Sequence, residues 1–535
     1  MKSLFKMTGW VLACLIISAV TAAGCLAAIP RYSTDPNDFV SSGAQYFWVN
    51  GQPFAFTGFN TRGICHYGYK DILYWSNHSD RTTNLNHMVN VGSKVARVFV
   101  SCDQIDKYET GDRLDVVLGE AAARNIRLIV SLTDFYHTGL SPQGDGQYYV
   151  SSGGWTILGE DFFQGGYQNN YLPQVQYLVN RFKNDPVVFC WQLGNELKTQ
   201  YGDWRDILPF SQAVTTAIRA IDQNHMVSLG SAGQSYLGLN WSDTVTLYQL
   251  FDFITIHPYN GEDWQDDSDV ADYLGLPLVV SEAGFGSSSY DDRPAHTDAD
   301  IAKWVSRGAR GYMNWGLMAT TYDNGDGDRE FGIDPVFHED DWNAYKTVYS
   351  FWSAELANAE PPLPPAPQNV QASDGSWPDR IEITWDEAYG ATEYIVMRAE
   401  TVDGARTFVS AWQSGRVFQD TTVNRGQTYF YWVRPRNTTG QGPISDYDPG
   451  YANGAPAVTV TQAKDYPNGT ELYITGGVVS GAFNSEFYLQ DGKLGGISVM
   501  YNGTVNEGDQ VNVLGIIVTY PDGERKLPAM QVIPQ

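Results

Sequence analysis

At 535 residues the chain is too long for a single hydrophobic core, and roughly two to four domains are expected. With 43% apolar residues it has the makeup of a globular protein, which excludes a disordered or fibrous class. Its 61 acidic residues against 34 basic ones give a net charge of −27, a surface that repels phosphate backbones and anionic membranes. Nucleic acid is therefore excluded as a partner, and a neutral substrate is favoured.

The chain opens with Lys2 and Lys6, an apolar stretch over residues 10–20 and a run of small residues to Ala28, the pattern of an export signal over residues 1–28. The apolar stretch is too short to span a bilayer, and no later segment is long and apolar enough, so no transmembrane segment is expected. Cys25 follows Ala22, Ala23 and Gly24, a partial match to a lipoprotein cleavage box that lacks the usual leucine three residues before the cysteine. Plain cleavage and a lipid anchor at Cys25 both stay open; either makes the protein secreted or cell-surface bound. Cys65 and Cys102 follow neighbouring predicted strands, and a bridge between them or unpaired thiols, with Cys190, are equally compatible with the spacing, which fits no zinc site.

Eight apolar strand candidates follow, over residues 54–60, 95–101, 127–133, 187–196, 226–231, 253–259, 277–284 and 311–317. Helical spacing of apolar residues separates them, clearest over 113–125, 171–184, 208–223 and 298–308. Eight such repeats within residues 29–360 predict an α/β fold, a (β/α)8 TIM barrel with its chemistry at the strand C-terminal ends. An Asn-Gly turn at Asn50-Gly51 predicts a hairpin over 47–54 that closes the barrel bottom. The long loop over 135–168, rich in Gly, Tyr and Trp, is a candidate cleft wall. The segment before the seventh strand is short, which predicts a reduced helix, and the fifth-strand region offers no catalytic residue.

Residues 361–367, Pro-Pro-Leu-Pro-Pro-Ala-Pro, form a stiff linker. Beyond it, residues 368–453 alternate as strands and carry Trp385 and the Tyr429-x-Tyr431-x-Val433 run after Gly426, which resembles a fibronectin type III sandwich with its tyrosine corner. Residues 454–535, with apolar strands over 473–479, 487–491, 496–499 and 507–513, look like an OB-type barrel. That segment carries few basic residues, so a structural or glycan-binding role is favoured over nucleic-acid binding. The expected layout is thus one (β/α)8 barrel followed by two small all-β domains.

Two strand candidates end on a carboxylate: the fourth on Leu193-Gly194-Asn195-Glu196 and the seventh on Ser281-Glu282. A buried strand has no use for a terminal Glu unless it faces a cleft, and two carboxyls at one barrel mouth are what glycosidic-bond cleavage requires. Arg97 is a cation within an apolar strand and needs a carboxylate partner. His257 and Tyr259, two residues apart, lie on one side of the sixth strand.

In this order the motifs of residues 44–355 resemble glycoside hydrolase clan A, most closely family 5, which includes cellulases and β-mannanases. The resemblance implies a retaining β-glycosidase with Glu196 as acid/base and Glu282 as nucleophile, about 5 to 5.5 Å apart. It implies that Asn195 binds the sugar 2-hydroxyl, Arg97 keeps Glu282 ionised, Tyr259 donates to Glu282, His257 tunes the carboxylates and binds a hydroxyl, and Trp315 is a sugar platform. The family's third-strand histidine is missing; Asp134 stands near its place and His137 three residues on, so both are candidates for the cleft. No cofactor or metal is implied. The acidic run 321–330 misses the calcium-loop order and reads as a turn. Tyr67, Tyr69, Trp75, Trp155 and Trp264 are loop aromatics, each read as packing before subsite. The expected substrate is a neutral polysaccharide, a β-1,4-mannan or β-glucan, cleaved by endo-action if the 135–168 loop walls an open groove and by exo-action if it closes a pocket. The alternatives are a catalytically silent carbohydrate-binding protein and a transglycosylase using the same glutamates.

Overall fold

The computed structural model describes residues 28–61, 64–65, 67–69, 72–74, 78–100, 103–136, 141–199, 204–317, 328–335, 339–358, 360–492 and 495–535. The export signal with Cys25, and also Trp75, Cys102, His137 and most of the 321–330 run, lie outside the described residues. So do the side chains of Tyr67 and Tyr69. The chain divides into two compact units, one comprising residues 1–47 and 54–357, the other residues 48–53 and 358–535.

The first unit contains eight parallel strands: β1 (Phe56–Asn60), β2 (Val95–Phe99), β3 (Arg127–Ser131), β4 (Val188–Gln192), β5 (Met226–Ser228), β6 (Ile254–Ile256), β7 (Leu278–Ala283) and β8 (Ala309–Asn314). Their ladder runs β5-β4-β3-β2-β1-β8-β7-β6. The remaining seam, between β5 and β6, is bridged by Asp252 N to Val227 O at 3.0 Å and His257 N to Ala232 O at 2.9 Å, so the sheet curls into a nearly closed barrel. Around it lie α1 (His78–Asn90), α2 (Lys107–Ala122), α3 (Tyr171–Phe182), α4 (Trp204–Ile221), the single turn α5 (Gln234–Leu237), α6 (Trp241–Tyr248), α7 (Gln265–Leu274), α8 (Arg293–Ser306) and α9 (Glu339–Ala357).

Alternation sorts the strand side chains into two environments. Ala96, Val98, Leu128, Val130, Val227, Ile254 and Val280 join the apolar cluster under the helices. The interior begins with an aromatic plug: Phe47 meets Phe189 and Phe253 edge-on at 5.0 and 5.3 Å, and Phe56 meets Phe189 at 5.3 Å. Phe47, from the predicted hairpin, thus fills the barrel floor, although residues 48–53 group with the second unit. Because Phe189 is fully buried in this plug, Phe189→Ala is expected to destabilise the barrel by about 3–5 kcal/mol, measured as a lowered denaturation midpoint.

The strands are shorter than the apolar runs suggest, and the residues singled out at their ends stand just beyond the ladder. The strand read over 187–196 ends instead at Gln192; beyond it Leu193, Gly194 and Glu196 bond the next segment, with Glu196 N donating to Gly230 O at 2.7 Å, while Asn195 N donates back to Thr133 O at 2.8 Å. The reduced helix expected before β7 is α7, ten residues long and shorter than α8 or α9. Cys65 and Cys190 are buried and unpaired.

In the second unit, strands Gln371–Ala372, Ile381–Thr384 and Val417–Asp420 form one sheet. Thr407–Phe408, Glu393–Ala399, Thr428–Arg436 and Asp448–Tyr451 form another. Ile381, Ile383, Trp385, Tyr394, Val396, Tyr431 and Val433 make the sandwich core. Tyr429 turns its hydroxyl back to accept from Asn424 N at 3.1 Å, the tyrosine-corner bond. Further on, Glu471–Ala482, Glu486–Gln490, Gly496–Met500, Arg525–Pro534 and Gln510–Ile516 pair in succession, and the last pairs with the first, closing a five-stranded barrel. Among the described residues no helix is long and apolar enough to cross a membrane.

Candidate active site

The mouth of the (β/α)8 barrel collects polar side chains from six strand ends. Arg97, inward-facing on β2 and fully buried, organises them. Its Nε donates to Gln192 Oε1 at 2.7 Å, Nη1 to Asn60 Oδ1 at 3.0 Å and Glu282 Oε1 at 2.5 Å, and Nη2 to Asn195 Oδ1 at 2.8 Å. A buried guanidinium is tolerated only when its donors and charge are met, and here four acceptors meet it.

Arginine can only donate, so Oδ1 of Asn195 faces Arg97 and Nδ2 faces Asp134, whose Oδ1 accepts from it at 2.9 Å. One amide hydrogen of Asn195 is left to point elsewhere. Asp134, buried at 3% exposure, also accepts from Tyr136 N at 3.3 Å. The residue therefore orients Asn195 and the loop after β3 rather than facing the mouth directly. Asp134→Ala is expected to lower kcat about tenfold while leaving KM nearly unchanged, since one buried hydrogen bond to a charged group is worth about 1.5–3 kcal/mol. Steady-state kinetics on a β-glycan checks it.

Glu196 and Glu282 face each other across this network. One donor atom each from Glu196, His257 and Glu282 lies within 4.8 Å of the others. That separation matches the close carboxyl spacing of about 5–5.5 Å found where one carboxylate attacks, not the about 6.5–9.5 Å that leaves room for an attacking water. Glu282 Oε2 accepts from the Tyr259 hydroxyl at 2.8 Å, and Glu196 Oε1 lies 2.6 Å from His257 Nδ1. The other ring nitrogen, Nε2, lies 2.9 Å from Ser281 Oγ. Burial pushes the His257 imidazole down to about 3, with Glu282 opposing and Arg97 assisting. The ring is thus neutral at physiological pH, and it can donate at Nδ1 to an ionised Glu196 or accept there from a protonated one.

Burial raises both carboxyls above the usual range. At Glu282 the neighbouring His257 and Arg97, and the Tyr259 hydroxyl, oppose the rise, while the facing Glu196 adds to it. Arg97 bonds Glu282 directly and only reaches Glu196 through space, so its cation favours the ionised form of Glu282 more strongly than that of Glu196. Glu196 is also the more open of the two, with 14% of its side chain exposed against 4% for Glu282. These two carboxyls and His257 are the one set of such donors among the described residues close enough to hold a metal ion. The Arg97 cation already on Glu282 opposes a second cation there.

The backbone delivering Glu196 is unusual: its φ of 49° lies in the left-handed region, which side chains adopt only at a cost of about 1–3 kcal/mol. Gly230, whose carbonyl holds Glu196 N, has φ 79°, and a Cβ there would meet Gly194 O at 1.8 Å, so only glycine fits. Trp315 stands half-buried after β8, its N donating to Ala283 O at 2.7 Å and its ring meeting Phe99 edge-on at 6.2 Å. Trp264 is partly buried against the helical core and serves packing. Trp155 is 66% exposed beside Tyr136.

The structure thus brings Arg97, Asn195, Glu196, His257, Tyr259 and Glu282 into one network, with Asp134 behind it. The sequence reading missed Asn60 and Gln192, the two amides completing the Arg97 cage. Their signal was present, because a polar residue inside a buried strand needs a partner. It also missed Tyr136 and, on α5 after β5, Tyr236. Their hydroxyls bond each other, and no spacing rule pointed to them.

The cellulase (glycosyl hydrolase family 5) model matches residues 48–323. Mannan endo-1,4-beta-mannosidase A of Hypocrea jecorina is 25% identical over 357 residues, which cover 58% of this chain and 77% of that protein. Mannan endo-1,4-beta-mannosidase 5 of Solanum lycopersicum is 26% identical over 330 residues, covering 50% and 76%. Among solved structures, an endo-beta-1,4-mannanase from Thermotoga petrophila aligns over 75% of this chain and 99% of its own, at 17% identity and a TM-score of 0.47.

Proposed function

We propose, from the premise that the chain belongs to glycosyl hydrolase family 5, that it is a retaining, endo-acting β-glycosidase whose substrate is a β-1,4-mannan. The observation that carries the chemistry is the facing carboxyl pair, with Glu282 bonded to Arg97 and Tyr259 and Glu196 bonded to a neutral His257. The named activity of the Hypocrea and Solanum relatives, mannan endo-1,4-β-mannosidase, supports mannan over glucan.

In the first step an oxygen of the Glu282 carboxylate attacks the anomeric carbon as the bond to the leaving oxygen breaks, and Glu196 gives that oxygen its proton. In the second, Glu196 takes a proton from water, whose oxygen attacks the same carbon, and the ester bond to Glu282 breaks. Asn195 holds its spare amide hydrogen toward the sugar 2-hydroxyl, a bond that strengthens as positive charge grows at the ring. The indole of Trp315 offers a flat apolar face to a pyranose ring. Transglycosylation shares the first step and differs only in the acceptor. No cofactor or resident metal enters this scheme.

We also propose that residues 1–28 direct export to the medium or the cell surface, and that residues 368–453 and 454–535 are fibronectin III-like and OB-like domains. The two-sheet sandwich with its tyrosine corner and the closed five-stranded barrel support the latter.

The test is a panel of β-mannan, cellulose, xylan and mixed-linkage glucan, with products sized and anomers read early. Internal cleavage of mannan with β-anomers appearing first is expected. Early α-anomers would remove Glu282 from the nucleophile role, and turnover confined to glucan would overturn the mannan reading.

A further inference from the structure

We propose that Trp155 and Lys198 form a sugar subsite on the leaving-group side of the mouth, Trp155 as a stacking platform and Lys198 as a donor to sugar hydroxyls. Together they decide how firmly long chains and acceptor sugars are held. The inference rests on the reading of Glu196 as the acid that faces the departing sugar.

Backbone bonds tie both residues to the segment that carries Glu196. Lys198 follows Glu196 by two residues. The chain leaving β3 pairs with that segment, Asn195 N donating to Thr133 O at 2.8 Å and Phe135 N to Asn195 O at 2.9 Å. A hairpin of Tyr149–Ser152 and Trp155–Leu158 is tied to the same chain by a bridge between Tyr136 and Ile157, and by Leu158 N donating to Phe135 O at 2.8 Å. Trp155 and Lys198 thus belong to the ends of β3 and β4. In an eight-stranded barrel these ends stand across the mouth from those of β7 and β8, which carry Glu282 and Trp315. A chain that rests its cleaved sugar on Trp315, with the bond between Glu282 and Glu196, leaves the mouth over the loop after β3.

The two side chains are held in place yet left with unused capacity. Trp155 is 66% exposed, and its ring meets that of Tyr136 at 5.4 Å. Tyr136 is fixed in turn, edge-on to Phe135 at 5.3 Å and bonded through its hydroxyl to that of Tyr236. Tyr236 sits on the single turn α5, whose start is anchored by Asp267 Oδ1 accepting from Gln234 N at 2.9 Å. Lys198 is half-buried, its Nζ 3.4 Å from the centre of the Tyr236 ring and 5.6 Å from that of Phe135. Among the described residues no carboxylate forms an ion pair with it. The wall therefore presents an open indole face and an ammonium pinned over rings. A pyranose has an apolar face to lay on the indole and hydroxyl oxygens to accept from the ammonium, and a donor already fixed loses little freedom on binding. The facing Glu196 carboxyl makes an anionic ligand unwelcome and leaves a neutral sugar as the fit.

The test takes the full-length wild type, Trp155→Ala, Trp155→Phe and Lys198→Met, and reads two ratios. The first sets kcat/KM on mannohexaose against kcat/KM on a nitrophenyl β-mannobioside, which carries no sugar on the leaving side. Trp155→Ala is expected to lower it about tenfold, and Trp155→Phe, which keeps a flat ring, to recover most of the loss. The second is the partition of the glycosyl-enzyme between water and added mannobiose. Glu196 is the base for both acceptors, so this partition reads acceptor binding apart from any change in its acidity. The transferred share is expected to fall about fivefold in Trp155→Ala and in Lys198→Met, whose unbranched stem stays over the ring without a donor. Both ratios unmoved in Trp155→Ala, or a wild type that transfers nothing to mannobiose, would overturn the subsite. A partition unmoved in Lys198→Met would remove the lysine from it. Trp155 is exposed, so its truncation should leave the melting temperature unchanged; should that variant unfold, the phenylalanine variant must still lower both ratios measurably. A wild type inert on every β-glycan would instead overturn the glycosidase reading itself.

Discussion

Glu282→Ala is expected to abolish measurable hydrolysis of β-mannan, a loss of about 10⁴-fold or more, since removing the proposed attacking group leaves only binding and electrostatics. The side chain lost is the one that Arg97 and Tyr259 both address, and among the described residues no other carboxylate accepts from Arg97. Two effects have to be separated. Truncation also strands the fully buried Arg97 guanidinium without its counter-charge, which costs about 3–5 kcal/mol of fold stability. Glu282→Gln keeps an oxygen for Arg97 and a polar end for Tyr259, so it should be equally inactive yet closer to wild type in its melting temperature. Activity and thermal unfolding measured on both variants decide the matter. If the glutamine variant hydrolyses mannan at more than about one hundredth of the wild-type rate, Glu282 is not the nucleophile.

Glu196→Ala should divide substrates by their leaving groups. A sugar hydroxyl departs poorly without a proton, so mannan turnover falls by about 10²–10⁴-fold. A nitrophenolate departs unaided, so a nitrophenyl glycoside still forms the ester at Glu282. The ester then waits, because nothing deprotonates the incoming water. A burst of nitrophenol, and a protein mass increased by one glycosyl group, are the expected signatures. Azide needs no general base; adding it should restore turnover and yield the β-glycosyl azide. Equal losses on mannan and the nitrophenyl substrate, with no azide rescue, would show that Glu196 does not handle the proton. The cavity left beside His257 Nδ1, 2.6 Å from the missing oxygen, is where azide has room to enter.

Much of this arrangement was legible beforehand, for a physical reason. A barrel strand alternates between helix-facing and interior positions, and charge cannot hide on either side without a use. Arg97 and Glu282 therefore advertised themselves as polar interruptions of apolar runs, as did Asn195 and Glu196 just past one. Asn60 and Gln192 gave the same kind of signal more faintly, because an amide at a strand end also suits a turn. Tyr136 and Tyr236 gave none. Their meeting depends on how the loop after β3 folds back through Asp134 and on where Asp267 seats a one-turn helix. The second is a long-range bond that no local spacing encodes. Asp134, a candidate for the cleft by sequence, bonds Asn195.

The left-handed backbone of Glu196 carries a lesson about selection. Folding alone would put glycine or asparagine at position 196, since both adopt that conformation at lower cost. A library sorted only for heat resistance should thus enrich changes at this position early, and the survivors would be sturdier and inert. Robustness and turnover make opposite demands on one residue. A search for hardier forms of this protein has to hold position 196 fixed and look for its gains in the barrel floor or the helical shell.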